Sequence, residues 1–519
     1  MKQLEGVNDF VVKFANVNGT GSASANRLFA KAIFRMGVPV SPRNIFPSNI
    51  QGLPTWYEVR VSAKGYLGRR GGVDLMLCVY PQTMEDDIAS VGPGGYFVYD
   101  STRPLAPHLN RDDISCFGIP LTEMCMREFK VARLQQLLKN VVYVGALAAL
   151  LDIDFSILKD LLSDQFKGKE KLISPNVHAL EMGYQFAKEN FPCPLPIRLD
   201  PSVIDAPHIR ESQHILMNGN TAAALGAIYG GATVAAWYPI TPSTSVVDAF
   251  SKYAERMRID AGTGKRNFAI LQAEDELAAM GIVVGASWNG ARAFTATSGP
   301  GLSLMSEFLG LAYFAEVPVV RIDVQRSGPS TGMPTRSQQS DILAAAYASH
   351  GDTKHVLLFP ATPRECFDMT VQAFDLAEQL QTPVIMMSDL DLGMNDRMSP
   401  PLDWYYDYEM NRGKALDKDA LDEAETWGRY LDVDGDGICY RTLPGTHPDK
   451  GAFFTRGSSK NDMAVYSEKG DDYVENVDRL LRKFETAKSY VPVPKVHDPI
   501  PVKKPKTKKK LGALFFGPS

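Results

Sequence analysis

The chain has 519 residues, 45% of them hydrophobic, enough to bury sizeable cores in roughly two to four domains. Its 55 basic and 60 acidic residues leave a net charge of −5, which carries no nucleic-acid footprint. The longest apolar run, 141–151, is too short to span a bilayer and predicts a buried helix, and the N-terminus lacks the apolar core of a signal peptide, so no membrane role is expected.

Asp9–Val17 alternates apolar and polar residues as a strand does, and V-N-G-T-G-S-A-S follows it. A helix is predicted next, with Leu28, Ala32, Ile33 and Met36 on its apolar face and Gly37 and Pro39 stopping it. Strand, glycine loop and helix resemble a dinucleotide fingerprint. The spacing is G-x-G-x-x-x-A, however, with no acidic partner after a second strand, so a tight turn packing helix on strand is the better reading. Further strands are predicted at 57–62, 74–80 and 95–99, then helices around 124–151, 155–166 and 177–190. A proline-rich link at 191–202 closes this N-terminal unit.

From about residue 212 strands and helices alternate regularly. Strands are predicted at 232–237, 267–271, 291–295, 317–324, 355–359 and 383–387, with Ala-, Gly- and Met-rich helices such as 277–287 and 302–314 between them. That alternation predicts an α/β domain with a parallel sheet covered by helices on both faces. Past Gly393 the pattern loosens. D-V-D-G-D-G at 432–437 resembles the start of a calcium loop, but the final ligand position falls on Leu443, so an Asp/Gly turn is expected. A charged helix is predicted at 471–488, an extended Pro/Lys linker at 491–510, and the first strand of a further domain at 511–519. The domains expected are therefore 1–202, 203–395, a connecting segment 396–490, and a linker with one strand at 491–519.

Six cysteines (Cys78, Cys116, Cys125, Cys193, Cys366 and Cys439) are scattered without a C-x-x-C pair. They supply no closely spaced iron–sulfur or zinc ligand set, so no metal site is expected on this chain, and they suggest a reducing cytoplasm.

Four motifs stand in order between residues 236 and 335: Y-P-I-T-P-S, A-E-D-E-L-A-A, T-A-T-S-G-P-G and D-V-Q-R-S-G-P-S-T-G-M-P-T. Together they resemble the α subunit of 2-oxoacid:ferredoxin oxidoreductases, most nearly the 2-oxoglutarate type. N-G-T-G-S at 18–22 and G-L-P-T-W-Y-E-V-R-V-S at 52–62 resemble the family's γ domain, here fused ahead of the α core. The resemblance implies CoA-dependent oxidative decarboxylation of a 2-oxoacid, or the reverse carboxylation, with electrons passing to ferredoxin. It implies a thiamine diphosphate shared with a β subunit that holds the magnesium and a [4Fe-4S] cluster, coenzyme A as co-substrate, and a dimer of αβ. Tyr238, Pro239, Ile240 and Glu276 match positions that cover the aminopyrimidine end of the cofactor. Glu276 matches the catalytic glutamate that hydrogen-bonds a pyrimidine nitrogen; read alone it is a helix-start carboxylate. Thr241 and Arg326 match residues facing the substrate carboxylate, where a planar guanidinium suits bidentate pairing. Their ordinary readings are a turn or N-cap threonine and a surface arginine. Arg336 is a candidate for a distal carboxylate, with a surface salt bridge as its ordinary reading. Members of the family continue past the position of Phe516 into another α/β domain. Pyruvate or branched-chain oxoacids are alternative substrates, and a truncated, non-catalytic assembly module is the alternative of a different class.

Overall fold

The computed structural model describes residues 4–46, 52–206, 209, 213–405, 407–451 and 457–494. The linker expected at 491–510 falls outside them from residue 495 onward, as does the strand expected at 511–519. The chain divides into two compact units, residues 1–217 with 395–401, and residues 218–394 with 402–519.

In the first unit, β1 (Gly6–Val7) precedes β2 (Asp9–Val17), β3 (Val40–Ile45), β4 (Pro54–Ser62), β5 (Val73–Cys78), β6 (Val91–Asp100) and β7 (Ser115–Ile119). β2 to β7 form one mixed sheet in the order β3-β4-β2-β5-β6-β7. β8 (Ile197–Arg198) pairs with β1 in parallel. Alternation along β2 sends Phe10, Val12 and Phe14 to one face and Ala15 to the other, and both faces are buried. Helices Ser22–Arg35 and Ala132–Leu151 cover the first face, and Ile173–Asn190 packs on Ala132–Leu151. Ala132–Leu151 is apolar and long enough to cross a membrane by composition, yet its residues from Leu138 onward are almost all packed inside the unit. The glycine loop behaves as a tight turn: Gly19 and Gly21 have φ of 87° and 81°, and a Cβ on Gly21 would meet the Leu137 side chain.

Three expectations need correction here. β3 and β7 were not expected as strands; both are sheet edges, carrying Pro42 and Gly118, and such residues are tolerated at edges while erasing the sequence signal. The helical stretch expected over 124–151 is two helices, Leu121–Glu128 and Ala132–Leu151, parted by extended Phe129 and Val131 with no Gly or Pro to mark the break.

β9 (Ile215–Met217) still belongs to the first unit; the second holds β10 (Val234–Trp237), β11 (Ala269–Gln272), β12 (Ala293–Thr297), β13 (Val319–Gln325), β14 (Val356–Leu358) and β15 (Pro383–Asp389). These last six form an all-parallel sheet in the order β11-β10-β12-β13-β15-β14. Helices Glu276–Trp288, Gly299–Leu304 and Ser306–Ala315 lie on one face, contributing Met280, Val283, Leu302 and Leu309 to its core. On the other, Phe294 packs edge-on against Phe250 at 5.0 Å and Phe374 at 6.3 Å. The helix expected at 302–314 is also two, broken at Met305.

β16 (Arg397–Ser399) pairs antiparallel with β9 and belongs to the first unit. The described residues of 402–494 belong to the second unit and are held there by buried charge. Glu316 receives Arg479 at 2.5 Å and Lys483 at 2.8 Å, and Glu378 receives Arg441 at 2.5 Å and Arg412 at 2.7 Å. The 432–437 segment is a turn: the Gly437 N–H donates to Asp432, and Lys414 spans Asp434 and Asp436 at 2.6 and 2.9 Å.

Candidate active site

In parallel sheets such as that of the second unit, the loops beyond the carboxyl ends of the strands are where ligands bind. The loop after β10 is Tyr238-Pro239-Ile240-Thr241-Pro242-Ser243. Its turn is closed by the Ile240 carbonyl, which accepts from the N–H groups of Ser243 at 2.9 Å and Thr244 at 3.1 Å. Tyr238 and Pro239 are exposed, Ile240 and Thr241 half-buried.

The loop after β11 opens the helix Glu276–Trp288. Asp275 is its N-cap, accepting from the Ala278 N–H at 2.7 Å. Capping therefore belongs to Asp275 and not to Glu276. The Glu276 side chain is only 6% exposed, and among the described residues it accepts no hydrogen bond. Gly301 lies directly beside it: a Cβ there would stand 2.9 Å from Glu276 Cγ and 2.0 Å from the Thr297 hydroxyl oxygen. The T-S-G-P-G motif thus needs glycine at its last position for close approach to the carboxylate-bearing side chain.

Arg326 follows β13 and is 6% exposed. Its Nη1 donates to the Thr241 carbonyl at 2.6 Å and its Nη2 to the Thr331 carbonyl at 3.2 Å, while Nε is buried without a partner. Burial pulls the guanidinium below its usual range, and the carboxylates of Asp341 and Glu276 oppose that shift. Thr241, Glu276 and Arg326, distant in sequence, are in this way brought together at the ends of β10, β11 and β13. Arg336 is held differently. Its guanidinium turns onto Thr335, meeting the carbonyl at 3.0 Å and the hydroxyl at 3.3 Å, and its own carbonyl accepts from the Ser327 N–H at 2.8 Å.

Three further charged groups beside this site were not singled out from the sequence: Arg321 and Asp323 within β13, and Asp341 beyond the loop. The Asp341 carboxyl is raised by burial, an effect opposed by Ser340, Arg321 and Arg326. Arg321 and Asp323 were signalled by R-x-D-x-Q in an otherwise apolar strand, where alternation puts Arg321, Asp323 and Gln325 on one buried face.

Residues 225–409 match the family model described as pyruvate flavodoxin/ferredoxin oxidoreductase, thiamine diphosphate-binding, and residues 11–186 match pyruvate ferredoxin/flavodoxin oxidoreductase. The chain is 34% identical over 478 residues to the α subunit of 2-oxoacid:ferredoxin oxidoreductase 2 from Aeropyrum pernix, covering 82% of this chain and 72% of the relative. It is 44% identical over 191 residues to the 2-oxoglutarate synthase subunit KorA of Methanothermobacter marburgensis, covering 37% of this chain and 48% of that one. Among solved structures, the 2-oxoglutarate:ferredoxin oxidoreductase of Magnetococcus marinus, with 2-oxoglutarate, coenzyme A and succinyl-CoA bound, superposes with a TM-score of 0.81 at 30% identity. That match covers 94% of this chain and 80% of the other.

Proposed function

The chain belongs to the 2-oxoacid:ferredoxin oxidoreductases as an α subunit with a fused γ-type N-terminal domain, and from that premise we propose that Thr241, Glu276 and Arg326 are its contribution to the active site, with 2-oxoglutarate as the substrate. The enzyme works as a multi-subunit complex with thiamine diphosphate and coenzyme A. The choice of 2-oxoglutarate leans on the KorA relative and on the ligands of the Magnetococcus structure. The observation that carries the reading is the convergence, at the ends of the parallel strands, of a buried arginine held by the Thr241 carbonyl and a buried glutamate within its electrostatic reach.

The residues present fit the aminopyrimidine end of thiamine diphosphate. A buried carboxyl group in its protonated form can donate to a heterocyclic nitrogen, and the glycine beside it removes the Cβ that would crowd its side chain. When bound, the cofactor supplies the carbanion chemistry that lets the carboxylate leave as carbon dioxide. Glu276 would hold the aminopyrimidine end by exchanging a proton between its carboxyl oxygen and that ring nitrogen, with the first turn of its helix fixing the side chain. Arg326 offers the substrate carboxylate a guanidinium already oriented by two carbonyls, so little side-chain entropy is lost on binding. The Thr241 hydroxyl stands on the loop that the same guanidinium holds, and donates to the same carboxylate. Arg336 takes the distal carboxylate by exchanging its Thr335 contacts for a charged partner.

The remaining parts are assigned to partners. The β subunit holds magnesium and a [4Fe-4S] cluster, passes electrons to ferredoxin, and joins this subunit in a dimer of αβ. Its docking side is the surface carrying Leu271, Leu277, Leu304, Met333 and Leu343, large apolar residues exposed on the segments that bear the site. We place the complex in the cytoplasm, consistent with six free thiols.

The test is a substrate panel on the assembled enzyme. Arg326→Ala should lower kcat/KM by about 2–5 kcal/mol for every 2-oxoacid, because all share the carboxylate it binds. Arg336→Ala should lower activity on 2-oxoglutarate while sparing pyruvate. Near-normal kcat/KM in Arg326→Ala would remove the arginine from the site.

A further inference from the structure

The D-V-D-G-D-G segment at 432–437 lacks the last ligand of a calcium loop, because the twelfth position is Leu443. The structure nevertheless places a cation in it. A calcium loop of this type holds its ion with side chains at positions one, three and five and with the main-chain carbonyl at seven, and turns on a glycine at six. Those positions are Asp432, Asp434, Asp436, Ile438 and Gly437. The Lys414 ammonium donates to Asp434 at 2.6 Å, to both oxygens of Asp436 at 2.9 Å and to the Ile438 carbonyl at 2.9 Å. It therefore occupies positions three, five and seven, those that face the ion in such a loop. Gly437 has a φ of 82°, which the sharp turn at position six needs.

Asp432, at position one, closes the loop instead. Its Oδ2 accepts from the Gly437 N–H at 2.9 Å and from Arg482 at 3.1 Å. The side chain is 8% exposed, and among the described residues its Oδ1 is buried without a partner. Two carboxylates rather than three thus meet the ammonium, which suits a single positive charge. A plain Asp/Gly turn closes on its own hydrogen bonds, whereas this one is built around a charge delivered from twenty residues away. The same contact joins three segments. The Lys414 carbonyl accepts from the Arg441 N–H at 2.9 Å, the Asp436 carbonyl accepts from the Thr486 hydroxyl at 2.7 Å, and a Cβ on Gly437 would meet the Lys483 backbone. The loop is in this way pressed between residues 413–416 and the helix Gly470–Ala487.

We propose that this loop is a calcium-type cation site whose resident cation is the chain's own Lys414 ammonium, and that removing the ammonium opens the site to a hard divalent ion. The site stands apart from the active-site reading and does not depend on it. Its test uses the full chain, with calcium as ligand and terbium as a luminescent probe that the Tyr440 ring, 5.3 Å from the ammonium, is placed to sensitise. Lys414→Ser should lower the thermal unfolding midpoint by about 2–4 °C, the shift expected of a modest lost ion pair in a unit of this size. Calcium should restore it with a Kd of about 10−4–10−3 M, weak because the twelfth ligand is missing. Terbium luminescence excited through tyrosine should rise above the wild-type level in Lys414→Ser and fall back in Lys414→Ser/Asp434→Asn. The wild type should show no calcium-dependent midpoint, since the ammonium holds the place. Absence of calcium and terbium binding in Lys414→Ser would overturn the proposal and leave an ordinary turn with a salt bridge. Calcium binding to the wild type that Asp434→Asn removes would overturn it equally, because the ammonium would then not exclude the ion. Should Lys414→Ser not fold, Lys414→Gln, which keeps a donor for the Ile438 carbonyl, carries the same test with the same outcomes.

Discussion

Glu276 and Asp275 are adjacent acids with separate work. Asp275 accepts from the Ala278 N–H at 2.7 Å and so satisfies the helix start, which leaves Glu276 a buried carboxylate with no structural bond to keep. Glu276→Gln should therefore leave the circular dichroism and unfolding midpoint nearly unchanged while lowering turnover of the assembled enzyme about a hundredfold or more. Normal turnover would return Glu276 to an ordinary helix-start role. His355 makes the opposite case, a titratable group whose work is structural. Its Nε2 faces the Ala348 carbonyl at 2.9 Å, which can only accept, so the proton sits there and Nδ1 is buried without a partner. Burial lowers its pKa from 6.5 to about 4, an effect the Ala348 hydrogen bond opposes. The unfolded chain then binds more protons between those values, and stability falls as pH drops through that window, by on the order of 3 kcal/mol. Asp323, which burial pushes up to about 7, acts with the opposite sign, its contribution being lost as pH rises through that value. The two are separated by difference. Urea unfolding of wild type against His355→Gln, which keeps a donor for Ala348, should show the wild type losing ground between pH 6.5 and 4. Parallel curves would mean that His355 is accessible to protons in the fold.

Helices here meet through glycine where backbones must touch. A Cβ on Gly183 would lie 1.8 Å from the Val142 carbonyl oxygen, and one on Gly145 2.0 Å from that of Leu180, so Ala132–Leu151 and Ile173–Asn190 cross with almost no side chain between them. Gly285, on Glu276–Trp288, has nothing within 4 Å of its Cβ position. Alanine gains up to about 1 kcal/mol of helix propensity at either place, but at Gly183 the clash costs about 1–3 kcal/mol. Thermal unfolding should show Gly183→Ala lowered and Gly285→Ala raised; two shifts of the same sign would deny the close crossing. Such contrasts also explain what the sequence made legible. The six parallel strands of the second unit could be read because each is a short, mainly apolar run bounded by turn residues, though the edge strand β11 is largely exposed. β3 and β7 could not, since edges admit Pro42 and Gly118, and the breaks at 129–131 and Met305 carry no Gly or Pro. The same division holds in the site. Thr241, Glu276 and Arg326 sit in loop motifs with distinctive spacing. Arg321 and Asp323 are marked locally by R-x-D-x-Q, but their unsatisfied state, and the place of Asp341, depend on neighbours on other strands and helices.

At the scale of the whole molecule, a reaction that passes electrons to ferredoxin needs a group that holds them one at a time, and the thiols of this chain are not grouped as a cluster would need. Its cysteines are six separate thiols, of which burial pushes Cys125 and Cys439 up to about 11 and so away from the thiolate that ligates a cluster. Among the described residues no three His, Cys, Asp or Glu side chains are grouped as a metal would need. The described residues instead expose large apolar side chains on the segments around the site, Leu343 at 75% and Met333 at 56%, a surface suited to a partner that completes the pocket. The chain purified alone should therefore contain no iron, retain no thiamine diphosphate through dialysis, and reduce no viologen dye with 2-oxoglutarate and coenzyme A. Adding the β subunit should restore all three and bury those apolar residues, which hydrogen exchange over 271–277 and 333–347 would register as protection. Stoichiometric iron or cofactor in the isolated chain would defeat this division of labour. Full activity without protection of those segments would place the β subunit on a different face.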